Sequence, residues 1–138
     1  MEAHWSYPQL AYFSGYTMWT YLTAPFVLAR PGVVAEEIAP RSEQGEAWRR
    51  LRVTFPADIA THSRNQTFYV GPDGLIRRHD YEVEIQGNNA AARYILDTVT
   101  VEGIVVPSKF RLCPRNPDNS PAPEPLIVGV DLSNYRLE

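Results

Sequence analysis

Residues 74–85, "GLIRRHDYEVEI", alternate between two kinds of side chain, as a β-strand does when only one of its faces is buried. The first face carries Leu75, Tyr81, Val83 and Ile85, and the second carries Arg78, Asp80, Glu82 and Glu84. Arg77 and His79 interrupt the apolar face. Because burying an unpaired charge is expensive, both side chains need partners inside the protein. The stretch therefore predicts a strand and marks a candidate site on it.

The turn "GPDG" that leads into this strand sets the pairing with the preceding strand, "NQTFYV" (65–70). It suits a type I turn followed by Gly74 in the left-handed conformation. That geometry places Tyr69 near Arg77 and Thr67 near His79. A four-residue loop would shift the register by one residue and offer two other neighbours, Phe68 and Gln66. The turn chemistry favours the first pairing.

The chain from residue 33 onward repeats this strand-and-turn pattern. The other predicted strands are 33–39, 46–55, 92–101, 104–113 and 126–137, and a proline-rich loop separates the last two. Tight turns at regular intervals predict an antiparallel meander of roughly six to eight strands. A sheet of that size must twist, curl or close.

Residues 9–22, ahead of the strands, have the spacing of an amphipathic helix. Tyr12, Tyr16 and Trp19 form an aromatic stripe, and the helical segment continues as a short turn to residue 28. We expect this stripe to pack on the concave face of the sheet. The predicted fold is a single α+β domain (1–138): helical segment 9–28 and an antiparallel β meander at 33–137, curled into a half-barrel or open barrel.

Composition excludes several classes of protein. The chain has 138 residues, 44% hydrophobic and 21% charged, and its net charge of -3 favours no nucleic-acid partner. A single cysteine, Cys113, forms no internal disulfide. His4, His62 and His79 are too dispersed for a metal motif, and no cofactor fingerprint appears. With no visible secretory signal or membrane-spanning run, we expect a soluble cytoplasmic protein without metal or cofactor.

Asp97 repeats the anomaly of His79 on the next strand, because it alternates with Ile95 and Val99. A carboxylate beside an imidazole can tune a general base, and an arginine such as Arg77 can hold an anion. Asp131 is a second candidate counter-charge. The alternative is structural: Arg77 and His79 lie at the rim of a curled sheet and pair with these neighbours without any catalytic role. Structural roles are the commoner explanation of such residues.

Three stretches, 10–33, 48–83 and 103–133, resemble the C-terminal portion of a family of uncharacterised bacterial proteins. The strand pattern is also remotely similar to the lipoprotein-carrier superfamily. The second resemblance implies a curled half-barrel that holds acyl chains under a helical lid. Members of the first family carry an additional N-terminal β-rich segment, and without it edge strands and apolar surface would be uncovered. We therefore expect a homodimer.

Three functions remain open on the sequence. A binding module would hold a lipophilic small molecule or acyl chain, with Arg77 and His79 at its head group. Its cavity would be lined by Tyr12, Tyr16, Trp19, Tyr69 and Tyr94. A cofactor-independent isomerase, cyclase or hydrolase would use His79 as general base, Asp97 to orient it and Arg77 to stabilise negative charge. A structural subunit would complete a larger barrel.

Overall fold

A computed structural model describes residues 6–61, 63–83, 89–122, 124 and 126–136, so His4, His62 and Ile85 lie outside the described residues. Its elements are α1 (Tyr7–Thr23), a short 3₁₀ helix (Phe26–Ala29), β1 (Val34–Glu43), β2 (Glu46–Thr54), β3 (Asn65–Val70), β4 (Ile76–Val83), β5 (Asn89–Val101), β6 (Ile104–Pro114) and β7 (Val128–Asp131). The strands form one open, seven-stranded antiparallel sheet in sequence order. The predicted α+β fold with a curled open sheet is confirmed.

Tight turns account for the simple strand order. Gln44–Gly45 and Glu102–Gly103 each join two strands through a two-residue loop in which both residues have positive φ. Positive φ at both positions is the requirement of a type I′ turn, whose twist matches that of the flanking strands. Gly74 has a φ of 81°, as the "GPDG" prediction requires.

A β-bulge at Arg77 changes the register beyond that turn. Val70 pairs with Ile76, but Tyr69 pairs with Arg78, so β4 contains one extra residue at this point. The predicted pairings of Tyr69 with Arg77 and Thr67 with His79 are therefore wrong. His79 pairs with Phe68 instead, because a bulge advances the partner strand by one position.

Helix α1 contacts the sheet through its C-terminal half. Ser6 and Gln9 form a capping box at its start. Tyr21 is buried against Tyr81 and Phe110 of the sheet. The other members of this core are Ala91 and Leu112, with Met18, Ile95, Val130 and Leu132 packed around them.

The aromatic stripe of the helix lies elsewhere. Tyr12 is 69% exposed and Trp19 is 37% exposed, so the prediction that they pack on the sheet is wrong. Tyr16 is half-buried. Tyr12 and Tyr16 contact each other edge to face, and Trp19 lies beneath the guanidinium of Arg30. The helix is apolar on more than one side, and its spacing alone does not say which side meets the sheet.

Both faces of the sheet are buried at its centre. The face toward α1, called the helix face, carries Phe68, His79, Tyr81, Arg93 and Phe110. The opposite face, called the polar face, carries Trp48, Tyr69, Arg78, Asp80 and Tyr94. Arg78 and Asp80, which alternation predicts on the polar, non-core face, are 0% and 2% exposed.

Two other segments cover the polar face. A register shift between Ile38 and Arg41 in β1 precedes Glu43, which reaches Arg78. The loop after β6 places Asn119 against the same guanidinium. Among the described residues, no helix is long and apolar enough to cross a lipid bilayer.

Candidate functional site

A cleft of about 560 Å³ lies between α1 and the helix face of the sheet. Its lining is mainly apolar and comprises Ser14, Thr17, Met18, Tyr21, Tyr81, Asn89, Ala90, Ala91, Leu112, Pro114, Ile127, Val128 and Val130. None of these described lining residues is charged. Cavities of this size and character hold small molecules whose bulk is apolar.

Four residues with hydroxyl groups line the cleft: Ser14, Thr17, Tyr21 and Tyr81. The hydroxyls of Tyr21 and Tyr81 hydrogen-bond to each other. Burial raises the pKa of both phenols, so both are neutral at physiological pH. Thr17 Oγ1 is buried and has no hydrogen-bond partner within the part of the chain that is described. The cleft therefore offers neutral hydrogen-bonding groups rather than a charge.

His79 lies inside the helix face and is fully buried. Its Nε2 donates to Gln66 Oε1 at 2.5 Å, since the amide oxygen can only accept. Its Nδ1 accepts from Arg93 Nε at 3.3 Å, which fixes a neutral imidazole with the proton on Nε2. The ring also stacks on Phe68, with centroids 4.2 Å apart. These contacts explain why an imidazole points into the core.

The residues proposed to act with His79 are not brought to it. Asp97 is exposed, pairs with Lys109 across the strands, and accepts from the Thr98 amide at 2.9 Å. His79 instead pairs with Arg93 on the same strand as Asp97. The expected contact between His79 and Asp97 is therefore not formed. With Nδ1 occupied and the ring fully buried, this geometry gives His79 no free position for a substrate proton.

Arg77 leaves the helix face because it is the bulge residue. Its guanidinium lies over Gly71, where an added Cβ would be 2.8 Å from the Arg77 Cζ atom. Arg77 Nη2 is 2.8 Å from Asp73 Oδ2, and Nε is 3.4 Å from Glu46 Oε1. Asp131, the other candidate counter-charge, pairs with Arg111 at 3.0 Å. Arg77 thus fastens the turn to the neighbouring hairpin.

The predicted ligand-lining aromatics are divided between different surfaces. Tyr12, Tyr16 and Trp19 are on α1 but not among the cleft residues, and Tyr69 and Tyr94 belong to the polar face. There Tyr69 donates to Asp80 Oδ2 at 2.7 Å, and Tyr94 donates to Glu43. Both phenols are already paired within the protein.

Sequence reasoning missed four residues that matter at these sites: Thr17, Tyr21, Arg78 and Arg93. Arg93 gives the same signal as His79, a charged side chain between apolar Ala91 and Ile95 on alternate positions of a strand. The same search would therefore have found it. Thr17 gives no sequence signal, because its importance comes from the sheet that packs over it.

The chain matches no protein-family model, no curated protein and no solved structure. The two resemblances of the sequence therefore stay predictions.

Proposed function

We propose that this protein binds a lipophilic small molecule in the cleft between α1 and the sheet. The observation that carries the proposal is the cleft of about 560 Å³ with its uncharged, mainly apolar lining. Met18 and Tyr21 form its helix side, and Leu112 and Val130 belong to its sheet side. Burying apolar ligand surface there would contribute about 25 cal/mol per Å² before the costs of association.

The lining also favours a particular polar end on the ligand. An ionised head group would lose its hydration without meeting an opposite charge, which is unfavourable. A neutral donor can instead bond to Thr17 Oγ1, the buried atom that lacks a partner in the described structure. We therefore assign the head-group role to Thr17 and not to Arg77 or His79, since neither lines the cleft.

Filling the cleft tests the proposal directly. Ser14 is exposed yet lines the cleft, so Ser14→Trp adds bulk there without disturbing the core. We expect the neutral dye N-phenyl-naphthylamine to bind the natural protein with enhanced fluorescence and to bind Ser14→Trp at least about tenfold more weakly.

Tyr12→Trp is the matched control, because Tyr12 lies on the same helix but outside the cleft. Its affinity for the dye should equal that of the natural protein. Equal binding by all three proteins would place the dye elsewhere and contradict the proposal.

Thr17→Val should make the empty protein more stable by about 1 kcal/mol, because it removes a buried hydroxyl that has no partner. Urea denaturation measures this difference. The same change should weaken binding of the dye, whose N–H can donate to Thr17, by roughly fivefold.

Thr20→Val is the matched control on the same helix. Thr20 is 1% exposed, and its hydroxyl donates to the Tyr16 carbonyl at 3.1 Å. Losing a hydroxyl that has a partner should not stabilise the protein. A stability gain in both variants, or in neither, would contradict the interpretation that the Thr17 hydroxyl is buried at a cost in stability that the Thr20 hydroxyl does not have.

We also propose that the protein is a homodimer. Leu126 and Ile127, directly before β7, and Val128, its first residue, are 56%, 49% and 42% exposed at this edge of the sheet. Apolar side chains on an edge strand are suited to pairing with a second chain. A sedimentation coefficient of a monomer at every protein concentration would contradict the dimer while leaving the cleft proposal intact.

A further inference from the structure

Arg93 is a buried cation for which the described residues supply no counter-charge. Its side chain is 1% exposed on the helix face. The guanidinium lies 4.1 Å from the Tyr21 ring centroid and 4.9 Å from that of Phe110, and it donates to neutral His79. No carboxylate of the described chain forms an ion pair with it, and its Nη1 atom has no hydrogen-bond partner there.

The guanidinium of Arg78 is also fully buried, but it is paired with carboxylates of the chain. Arg78 meets two carboxylates, Asp80 at 2.7 Å and Glu43 at 2.9 Å. Two buried arginines in one sheet thus differ in whether the protein supplies their negative partner. Burying a cation without such a partner is costly, so a partner from outside the chain would be strongly favoured at Arg93.

A second, smaller pocket lies beside Arg93. Its volume is about 60 Å³, and Arg93 is its single charged lining residue among those described. Pro25, Gly74 and Thr98 also line the pocket and are exposed, so it reaches the protein surface. The remaining lining is mainly apolar: Tyr21, Ala24, Leu75, Ile76, Ile95, Val105, Val106 and Pro107.

Among the described residues that line this pocket, Arg93 is the one that carries a charge at neutral pH. Burial lowers the pKa of Arg93 to about 10, which still leaves it cationic at neutral pH. Burial raises the pKa of Tyr21 and Tyr81, so neither phenol becomes the missing anion. The pocket therefore has mainly apolar walls and one cation, Arg93, whose Nη1 atom lacks a hydrogen-bond partner in the described chain.

We propose that this pocket is a carboxylate site in which a monocarboxylate pairs with Arg93. At about 10–15 Å³ for each water-sized group, a volume of about 60 Å³ holds roughly four to six such groups. Formate and acetate fit this space, whereas the chain of an acid as long as octanoate must extend toward the exposed residues Pro25, Gly74 and Thr98. The site is separate from the proposed lipophile cleft, although Tyr21 lines both.

Calorimetric titration with the sodium salts of formate, acetate, butyrate and octanoate tests the site at constant pH and ionic strength. We expect at least one of the four to bind the natural protein. Arg93→Met should abolish that binding. Thr98→Phe narrows the pocket at an exposed strand position, keeps Arg93, and should weaken binding at least about tenfold. If Arg93→Met fails to fold, the binding affinity of Thr98→Phe for the acids tests the site by itself.

Arg52→Met is the matched control, because Arg52 is exposed and outside the pocket. It should bind as the natural protein does. Acetate binding more tightly than octanoate would identify a free small acid, and the reverse order would identify the head group of a lipophilic acid. Absence of binding by all four acids, or binding by Arg93→Met and Thr98→Phe as tight as that of the natural protein, would overturn the site. Neither result bears on dye binding in the cleft, which Ser14→Trp tests separately.

Discussion

Arg78→Met is expected to lower the free energy of unfolding by about 3–5 kcal/mol, because it takes away the cation nearest to the buried carboxylate of Asp80 and leaves that carboxylate only Arg115, at 3.8 Å. Arg78 Nε and Nη2 donate to the two oxygens of Asp80 at 2.7 and 2.9 Å. Nη1 donates to Glu43 at 2.9 Å, and Nη2 donates to the Asn119 carbonyl at 2.5 Å. One guanidinium thus joins β4, the end of β1 and the loop after β6.

Urea denaturation of Arg78→Met beside Arg49→Met measures the effect. Arg49 also forms a two-fold hydrogen bond with a carboxylate, that of Glu37, at 2.8 and 2.9 Å, but on the exposed surface. Exposed pairs contribute little, so Arg49→Met should be almost neutral. Adding Asp80→Asn to Arg78→Met should recover part of the loss, because it removes a buried charge that then has only the more distant Arg115 as its partner. Equal, small losses in the two single variants would contradict a buried ionic core.

Phe110→Ala is the second change with a large expected effect, a destabilisation of about 3–5 kcal/mol. Phe110 is 1% exposed, and its ring contacts Tyr21 of the helix at a centroid distance of 5.2 Å. It also supports the Arg93 guanidinium. Its removal leaves a cavity where the helix meets the sheet.

Thermal or urea unfolding of Phe110→Ala beside Phe26→Ala provides the comparison. Phe26 is 60% exposed in the 3₁₀ helix, so its truncation creates no cavity. A loss of similar size in the two variants would mean that the contact between α1 and the sheet is not part of the core.

Local signals were sufficient to predict the architecture. Alternation predicted the strands, and β3 was predicted at its observed bounds, Asn65–Val70. The predicted strands 33–39 and 46–55, and likewise 92–101 and 104–113, pair as hairpins, and the turn of each contains a glycine, which readily adopts the positive φ that such turns require. A meander then follows, because every strand pairs with its neighbour in sequence.

The β-bulge at Arg77 is the reason why the predicted register between β3 and β4 is wrong. A bulge adds one residue to a strand through interactions that no local pattern records; here Arg77 binds Asp73 in the turn and Glu46 on another hairpin. The displacement removed Arg77 from the candidate site and gave His79 the neighbours Phe68 and Gln66.

The alternation of apolar and polar residues also fails to predict which side chains are buried when both faces of a sheet are covered. Arg78 and Asp80 were predicted on a polar face away from the core, but β1 and the loop after β6 lie over them. The prediction that the aromatic stripe of α1 packs on the sheet is wrong for a related reason. A helix with apolar residues on several sides is oriented by all the elements that pack around it. The site residues Thr17 and Tyr21 depend on that orientation.

Native mass spectrometry of the purified protein beside Ser14→Trp tests the central claim most directly. The account predicts a lipophilic, uncharged molecule bound to the natural protein with one copy per chain, and its loss from Ser14→Trp, whose added ring occupies the cleft. A natural protein without bound molecule, or the same molecule retained equally by Ser14→Trp, would contradict binding in the cleft.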